Sequence, residues 1–143
     1  MAAEGPYDVL YVDPPYNRRQ YHSNYHVLET IACWDLGAFE PEGKTGLRPA
    51  GAQRSRYAMA RTAEAALADL IHTARFKHIL VSYSNEGLIP EASLKAILDA
   101  KSPGGVRDYH RIPYKRFRAD TDGEGRTYAG DTVDEFLFYC RVG

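Results

Sequence analysis

The segment YVDPPYNRRQ (residues 11–20) follows an apolar run, DVLYV (residues 8–12). Residues 7–12 show no period-two alternation of polarity, so they read as a strand covered on both faces, as in a parallel α/β sheet. Asp13, Pro14, Pro15 and Tyr16 then take the chain out of that strand. In open α/β sheets ligands sit outside the carboxyl ends of the strands, which is where Asp13 falls. Each proline holds φ near its ring value and removes an N–H donor while keeping its carbonyl. The turn is therefore stiff and rich in acceptors: the Asp13 carboxylate, the proline carbonyls and the Tyr16 ring beside them. A planar heterocycle with an exocyclic amine matches that set, because its N–H groups need acceptors and its ring needs a face. A strand-ending turn with a capping aspartate is the plain structural alternative.

Working outward, residues 24–35 place Val27, Leu28, Ile31 and Trp34 on one helical stripe that Gly37 terminates. Residues 37–61 are rich in Gly, Pro and basic side chains and read mostly as loop. A helix is predicted over roughly residues 56–75, with Ala66, Leu67, Leu70, Ile71 and Ala74 in helical register. Residues 77–83 give a second strand, and Pro90 opens a helix whose inner stripe is Leu94, Ile97 and Leu98. Residues 106–114 and 135–142 are further strands, joined by a polar, Gly-rich stretch that reads as a mobile loop. This order is α/β with an antiparallel pair at the C-terminal end.

At 143 residues the chain is expected to be a single domain with a useful core. Its formal net charge of −1 produces no global basic field. The two cysteines, Cys33 and Cys140, form no CxxC pair and read as free thiols in a reducing, cytoplasmic setting. No apolar run is long enough to cross a bilayer, and no leader precedes the first strand. His22 and His26 lack a third ligand, so no metal is expected.

Three further clusters bear on binding. Tyr83, Ser84 and Asn85 end the second strand, where they either line a pocket or simply turn the chain. Arg18, Arg19, Tyr21 and Tyr25 combine cations with aromatic rings, as phosphate contact and base stacking require; a solvated loop is the other reading. Between residues 37 and 61, Lys44, Arg48, Arg54, Arg56 and Arg61 outnumber Glu40 and Glu42, a local excess that suits a DNA backbone contact. The basic run YKRFR (residues 114–118) fits nucleic acid or the protection of a strand edge equally well.

The strings DPPYNRRQYHSNYHVLETIA (residues 13–32), GKTGLRP (residues 43–49) and KHILVSYSNEG (residues 77–87) resemble the D12 class of adenine-specific DNA methyltransferases over residues 7–100, and EFLFY (residues 135–139) fits the closing strand of that class. The resemblance implies S-adenosylmethionine as cofactor and double-stranded DNA as partner, with the target adenine flipped out of the duplex. Asp13, Pro14, Pro15 and Tyr16 are then catalytic. Asp13 also touches the methionine end of the cofactor. Tyr83, Ser84, Asn85, Arg18, Arg19, Tyr21, Lys44 and Arg48 serve the substrate. Aspartate at the first motif position with tyrosine at the last favours adenine N6 over cytosine N4, RNA guanine or a protein glutamine. The resemblance further implies a partial Rossmann-like methyltransferase sheet with helices packed on its faces. The family's glycine-rich FxGxG turn has no convincing copy in these residues. The chain thus reads as the carboxyl-terminal, catalytic half, with an open sheet edge suited to a complementary chain or a second copy. A non-catalytic remnant that binds nucleic acid is the alternative.

Overall fold

The computed structural model describes residues 8–35, 37–44, 46–49, 51, 54–115 and 131–142. Strand β1 (Val9–Val12) is followed by two short helices, α1 (Tyr21–Asn24) and α2 (His26–Cys33), and a 3-10 turn (Arg56–Ala58). Helix α3 (Ala63–Thr73), strand β2 (His78–Ser84), helix α4 (Glu91–Lys101) and strands β3 (Val106–Lys115) and β4 (Thr132–Arg141) complete the described chain. The strands form one mixed sheet in the order β1-β2-β4-β3. β1 runs parallel to β2, and β4 is antiparallel to both β2 and β3. The antiparallel C-terminal pair is therefore present as the strand pattern anticipates.

Sheet geometry sorts the side chains. In the β2–β4 register Ile79 lies opposite Cys140, Val81 opposite Phe138 and Tyr83 opposite Phe136, so these six share one face. All six are buried. Helices α3 and α4 cover this face with stripes at helical spacing: Ala63, Ala66, Leu67 and Ile71 from α3, and Leu94, Ile97 and Leu98 from α4. Tyr109 packs its ring on Phe138, with centroids 4.9 Å apart. Lys101 staples the two helices by donating to the carbonyls of His72 (2.9 Å) and Ala74 (2.8 Å), acceptors freed at the end of α3. Pro113 is accommodated because β3 is an edge strand among the described residues.

Several sequence expectations are corrected. β1 is not covered on both faces: Val12 is buried, but Val9 and Tyr11 are 52% and 59% exposed. Tyr11 pairs in register with Leu80, and Leu80 with Tyr139, so they occupy the second sheet face. No described helix shields that face as α3 and α4 shield the first. The run is apolar because it carries hydrophobic groups on both sides; this arrangement buries only one. The predicted 24–35 helix is broken at Tyr25 into α1 and α2. It ends at Trp34, whose φ of 49° is left-handed, before Gly37 is reached. Its stripe is exposed at Val27, Leu28, Ile31 and Trp34, since periodicity reports an apolar face and not what covers it. The predicted 56–75 helix is a 3-10 turn followed by the shorter α3, with Met59 extended between them. Pro90 stands at the start of α4 as expected, in the N-cap position. Around the GKTGLRP segment Glu42 and Leu47 exchange backbone hydrogen bonds, and Gly43 and Gly46 are both at positive φ. The predicted mobile loop, and all but the first two residues of YKRFR, lie outside the described residues.

Candidate active site

Asp13-Pro-Pro-Tyr16 leaves the carboxyl end of β1 beside the carboxyl end of β2, as the parallel pairing of these strands dictates. Asp13 and Tyr16 are exposed, Pro14 is buried and Pro15 is half-buried. The buried Pro14 anchors the turn while the Asp13 and Tyr16 side chains stay accessible. The Tyr16 carbonyl accepts a hydrogen bond from the Leu88 amide (3.0 Å), tying this turn to the loop after β2.

Tyr16 lines a hollow of about 490 Å³ together with Asn17, Arg19, Ser84, Tyr114 and Glu135. Ser84 and Glu135 are register partners on β2 and β4, on the face opposite the α3–α4 layer. The hollow is therefore built from two parallel strand ends and roofed in part by the β3–β4 pair. The Glu135 carboxyl is held above the usual carboxylate range, chiefly by burial and secondarily by the negative charge of Asp13. Burial, joined by the Asp13 charge, also pushes the Tyr21 phenol up. Asp13 thus acts electrostatically on both neighbours.

The other sequence-selected residues divide. Ser84 and Arg19 join the hollow. Tyr83 is buried in the core, where its hydroxyl accepts from the Ile89 amide (3.2 Å). It supports the loop from beneath instead of facing the hollow. Asn85 is exposed; its side-chain oxygen accepts from the Asp134 amide (3.2 Å), and its own amide donates to the Asp134 carbonyl (2.9 Å), locking β2 to β4 beside Glu135. Arg18 points to a separate groove. Tyr21 packs edge-on against Tyr25, centroids 5.6 Å apart. Lys44 stands exposed in the Glu42–Leu47 turn. Arg48 is committed internally: it forks onto Asp35, donates to Thr30 (3.2 Å) and lies over the Phe39 ring at 4.6 Å. That ion pair holds the Asp35 carboxyl below the usual range. With 11% of its side chain exposed, Arg48 pins the 35–48 segment to α2 and is not free for DNA.

Glu86, Tyr114, Val133 and Glu135 line the hollow without having been singled out by sequence as its walls. Glu86 lies just past the end of β2, and Glu135 belongs to a strand whose register depends on tertiary pairing. Among the described residues no group of three or more His, Cys, Asp or Glu side chains could hold a metal ion. Cys33 is exposed and Cys140 buried, and both are free thiols. Among the described residues no helix is long and apolar enough to cross a membrane.

The family model for D12 class N6 adenine-specific DNA methyltransferases matches residues 1–97. The chain belongs to this family. It is 44% identical to the type II methyltransferase M.FokI of Planomicrobium okeanokoites over 136 residues, covering 94% of this chain and 20% of that protein. It is 40% identical to M.NlaIII of Neisseria lactamica over 130 residues, covering 91% of this chain and 36% of that relative. The modification methylase StsI of Streptococcus sanguinis is 36% identical over 134 residues, covering 94% of this chain and 19% of that protein. This D12 chain thus spans between about a fifth and about a third of the length of these relatives. No solved structure matches it.

The raised Glu135 carboxyl makes a directional prediction for the D12 chain. The folded state holds that proton to higher pH than an ordinary glutamate, which titrates near about 4.3 in the unfolded chain. Stability is therefore lost as pH rises through the interval from the unfolded value to the raised folded one. Glu135→Gln removes this loss. The variant is expected to melt above the parent at pH 7, with the difference vanishing below about pH 4, where the unfolded carboxyl is also protonated. A variant that melts below the parent at pH 7 contradicts the assignment.

Proposed function

We propose that this chain is the catalytic half of an S-adenosylmethionine-dependent methyltransferase acting on the N6 amine of adenine in DNA. The observation that carries the proposal is the placement of Asp13 and Tyr16 in a D12 chain: an accessible carboxylate and ring on a proline-stiffened turn, beside a hollow at paired strand ends. The target adenine is flipped out of the duplex and stacks on Tyr16. Its N6 amine donates to the Asp13 carboxylate and the Pro14 carbonyl. These acceptors draw the nitrogen lone pair out of ring conjugation and aim it for direct in-line attack, with no covalent intermediate on the protein. The Asp13 charge stabilises the positive charge that grows on nitrogen, so placement and electrostatics supply most of the rate.

The residues present fit a cationic cofactor. The negative charge of Asp13 reaches Glu135, which lines the hollow together with Glu86. Asp13 would hold the methionine end. When bound, S-adenosylmethionine supplies an electrophilic methyl group on a sulfonium. The four-stranded sheet is read as part of a Rossmann-like methyltransferase sheet. Its open β1 edge and unshielded second face suit a complementary segment or chain, or a second copy, carrying the adenosine-binding glycine-rich turn.

The test offers labelled S-adenosylmethionine and DNA, RNA and protein to the chain with its complementary half. Incorporation into DNA as N6-methyladenine is expected. Label found only in RNA or in protein glutamine rejects the substrate assignment. Tyr16 offers a second check. Tyr16→Ala is expected to lower kcat/KM by about 10–100-fold through the lost stacking surface, since base–aromatic stacking is worth about 1–3 kcal/mol. Tyr16→Phe keeps the ring and should retain most activity; a loss as severe as in the alanine variant would transfer the role to the hydroxyl.

A further inference from the structure

A second concavity, about 620 Å³, lies on the other side of residues 16–20 from the hollow. Along this segment the chain alternates: Tyr16, Asn17 and Arg19 line the hollow, while Arg18 and Gln20 line the second groove. Across from them stand Arg54, Arg61 and Thr62, with Met59 among the apolar residues of the wall. Gln20 locks the two walls together, because its side-chain oxygen accepts from the Ser55 amide at 2.8 Å. Thr62 fixes the far wall by donating to the Arg56 carbonyl at 2.8 Å.

Among the described residues nothing holds the three guanidinium groups. Arg48, Arg56 and Arg111 each have a carboxylate partner, Asp35, Asp69 and Asp134 respectively. Arg18, Arg54 and Arg61 have none among the described residues, and none of the described residues that line the groove is acidic. Three like charges gathered around one concavity repel each other, and only an anion entering it relieves that repulsion. On a chain with net charge −1 this is a local feature and not the overflow of a basic protein.

We propose that this groove holds the phosphodiester backbone of the DNA strand flanking the flipped base, with Arg18, Arg54 and Arg61 on successive phosphates. The proposal rests on the DNA-methyltransferase reading above and adds to it the surface that grips the strand. A backbone is favoured because its charges are spread along a line, as the three arginines are spread over both walls, and because the groove adjoins the catalytic turn through residues 16–20. Of the five basic residues that the 37–61 segment offered, it narrows the backbone contact to Arg54 and Arg61, since Arg48 is paired internally with Asp35.

Binding of a fluorescein-labelled DNA duplex to the full chain, followed by anisotropy over a salt series, tests the groove. Each neutralised phosphate contributes about 0.9 to the slope of log K against log salt. Arg54→Gln with Arg61→Gln is expected to reduce that slope by about 1.8, whereas Arg54→Lys with Arg61→Lys should keep most of it. Both pairs should melt with the parent, because neither arginine has a partner to lose among the described residues. Arg75→Gln, which removes an exposed charge outside the groove, should leave the slope unchanged. An unchanged slope in the glutamine pair, or an equal loss per charge in Arg75→Gln, overturns the groove while the parent's salt-dependent binding keeps the DNA reading. A parent chain whose duplex binding shows no salt dependence overturns both.

Discussion

Asp13→Ala is expected to reduce methyl transfer by about a thousandfold or more in the complemented enzyme while leaving the thermal midpoint of the chain nearly unchanged. The two halves of this expectation have separate physical origins. Asp13 is exposed and its carboxylate makes no side-chain hydrogen bond among the described residues, so its removal leaves no buried group unpaired. The turn is held by other means: the buried Pro14 ring and the Leu88 amide bonded to the Tyr16 carbonyl. The chemistry has no such reserve. On the proposed mechanism, removing the carboxylate takes from the N6 amine its charged acceptor and from the growing positive charge on nitrogen its counter-charge. Asp13→Asn separates these contributions, because it keeps an acceptor oxygen and removes the charge; it should fall between parent and alanine. Single-turnover methylation with melting curves on the same preparations makes the comparison. Parental turnover in Asp13→Ala would remove the residue from the reaction.

Gly87→Ala is the largest effect expected away from the reacting atoms. A Cβ built on Gly87 would stand 2.1 Å from Cε1 of Tyr83, 2.7 Å from its Cζ and 2.9 Å from the Ser84 carbonyl oxygen. Tyr83 cannot swing away, because its ring is buried and its hydroxyl accepts the Ile89 amide. The loop must lift instead, which strains both that bond and the Leu88–Tyr16 bond that ties down the Asp13–Tyr16 turn. Forcing a methyl group into such packing costs on the order of 3 kcal/mol, the upper part of the usual range for overpacked sites. Denaturant unfolding of the folded chain reads this directly. Gly87→Ala with Tyr83→Leu should recover part of the loss, since the smaller side chain vacates the space. A variant as stable as the parent would mean that the loop is not clamped as described.

These predictions draw unequally on sequence and structure. The Asp13–Tyr16 motif, the strands around residues 9–12 and 78–84, and the inner stripes of α3 and α4 were legible because each rests on local pattern: a proline turn, an apolar run, or helical spacing. Tyr83 and Ser84 looked alike in sequence, yet one is core and the other lines the hollow, because alternate strand residues take opposite faces. Arg48 and Arg54 looked equally available for DNA, and only the approach of Asp35 separates them. Val27, Leu28, Ile31 and Trp34 show the limit from the other side: their spacing is helical, but burial depends on a partner surface that periodicity does not encode.

What the chain's own order of residues determined is the proline-stiffened turn and the family to which the chain belongs, because a carboxylate, two prolines and a tyrosine after an apolar strand need no distant contact to become a stiff acceptor corner. What only the tertiary structure decided is which groups surround that corner. Glu135 enters from a strand over a hundred residues later in the chain, and Arg54 and Arg61 come to share a groove with Arg18, through strand register and loop packing. Such placements depend on which surfaces meet in space, and separation along the chain carries no record of them.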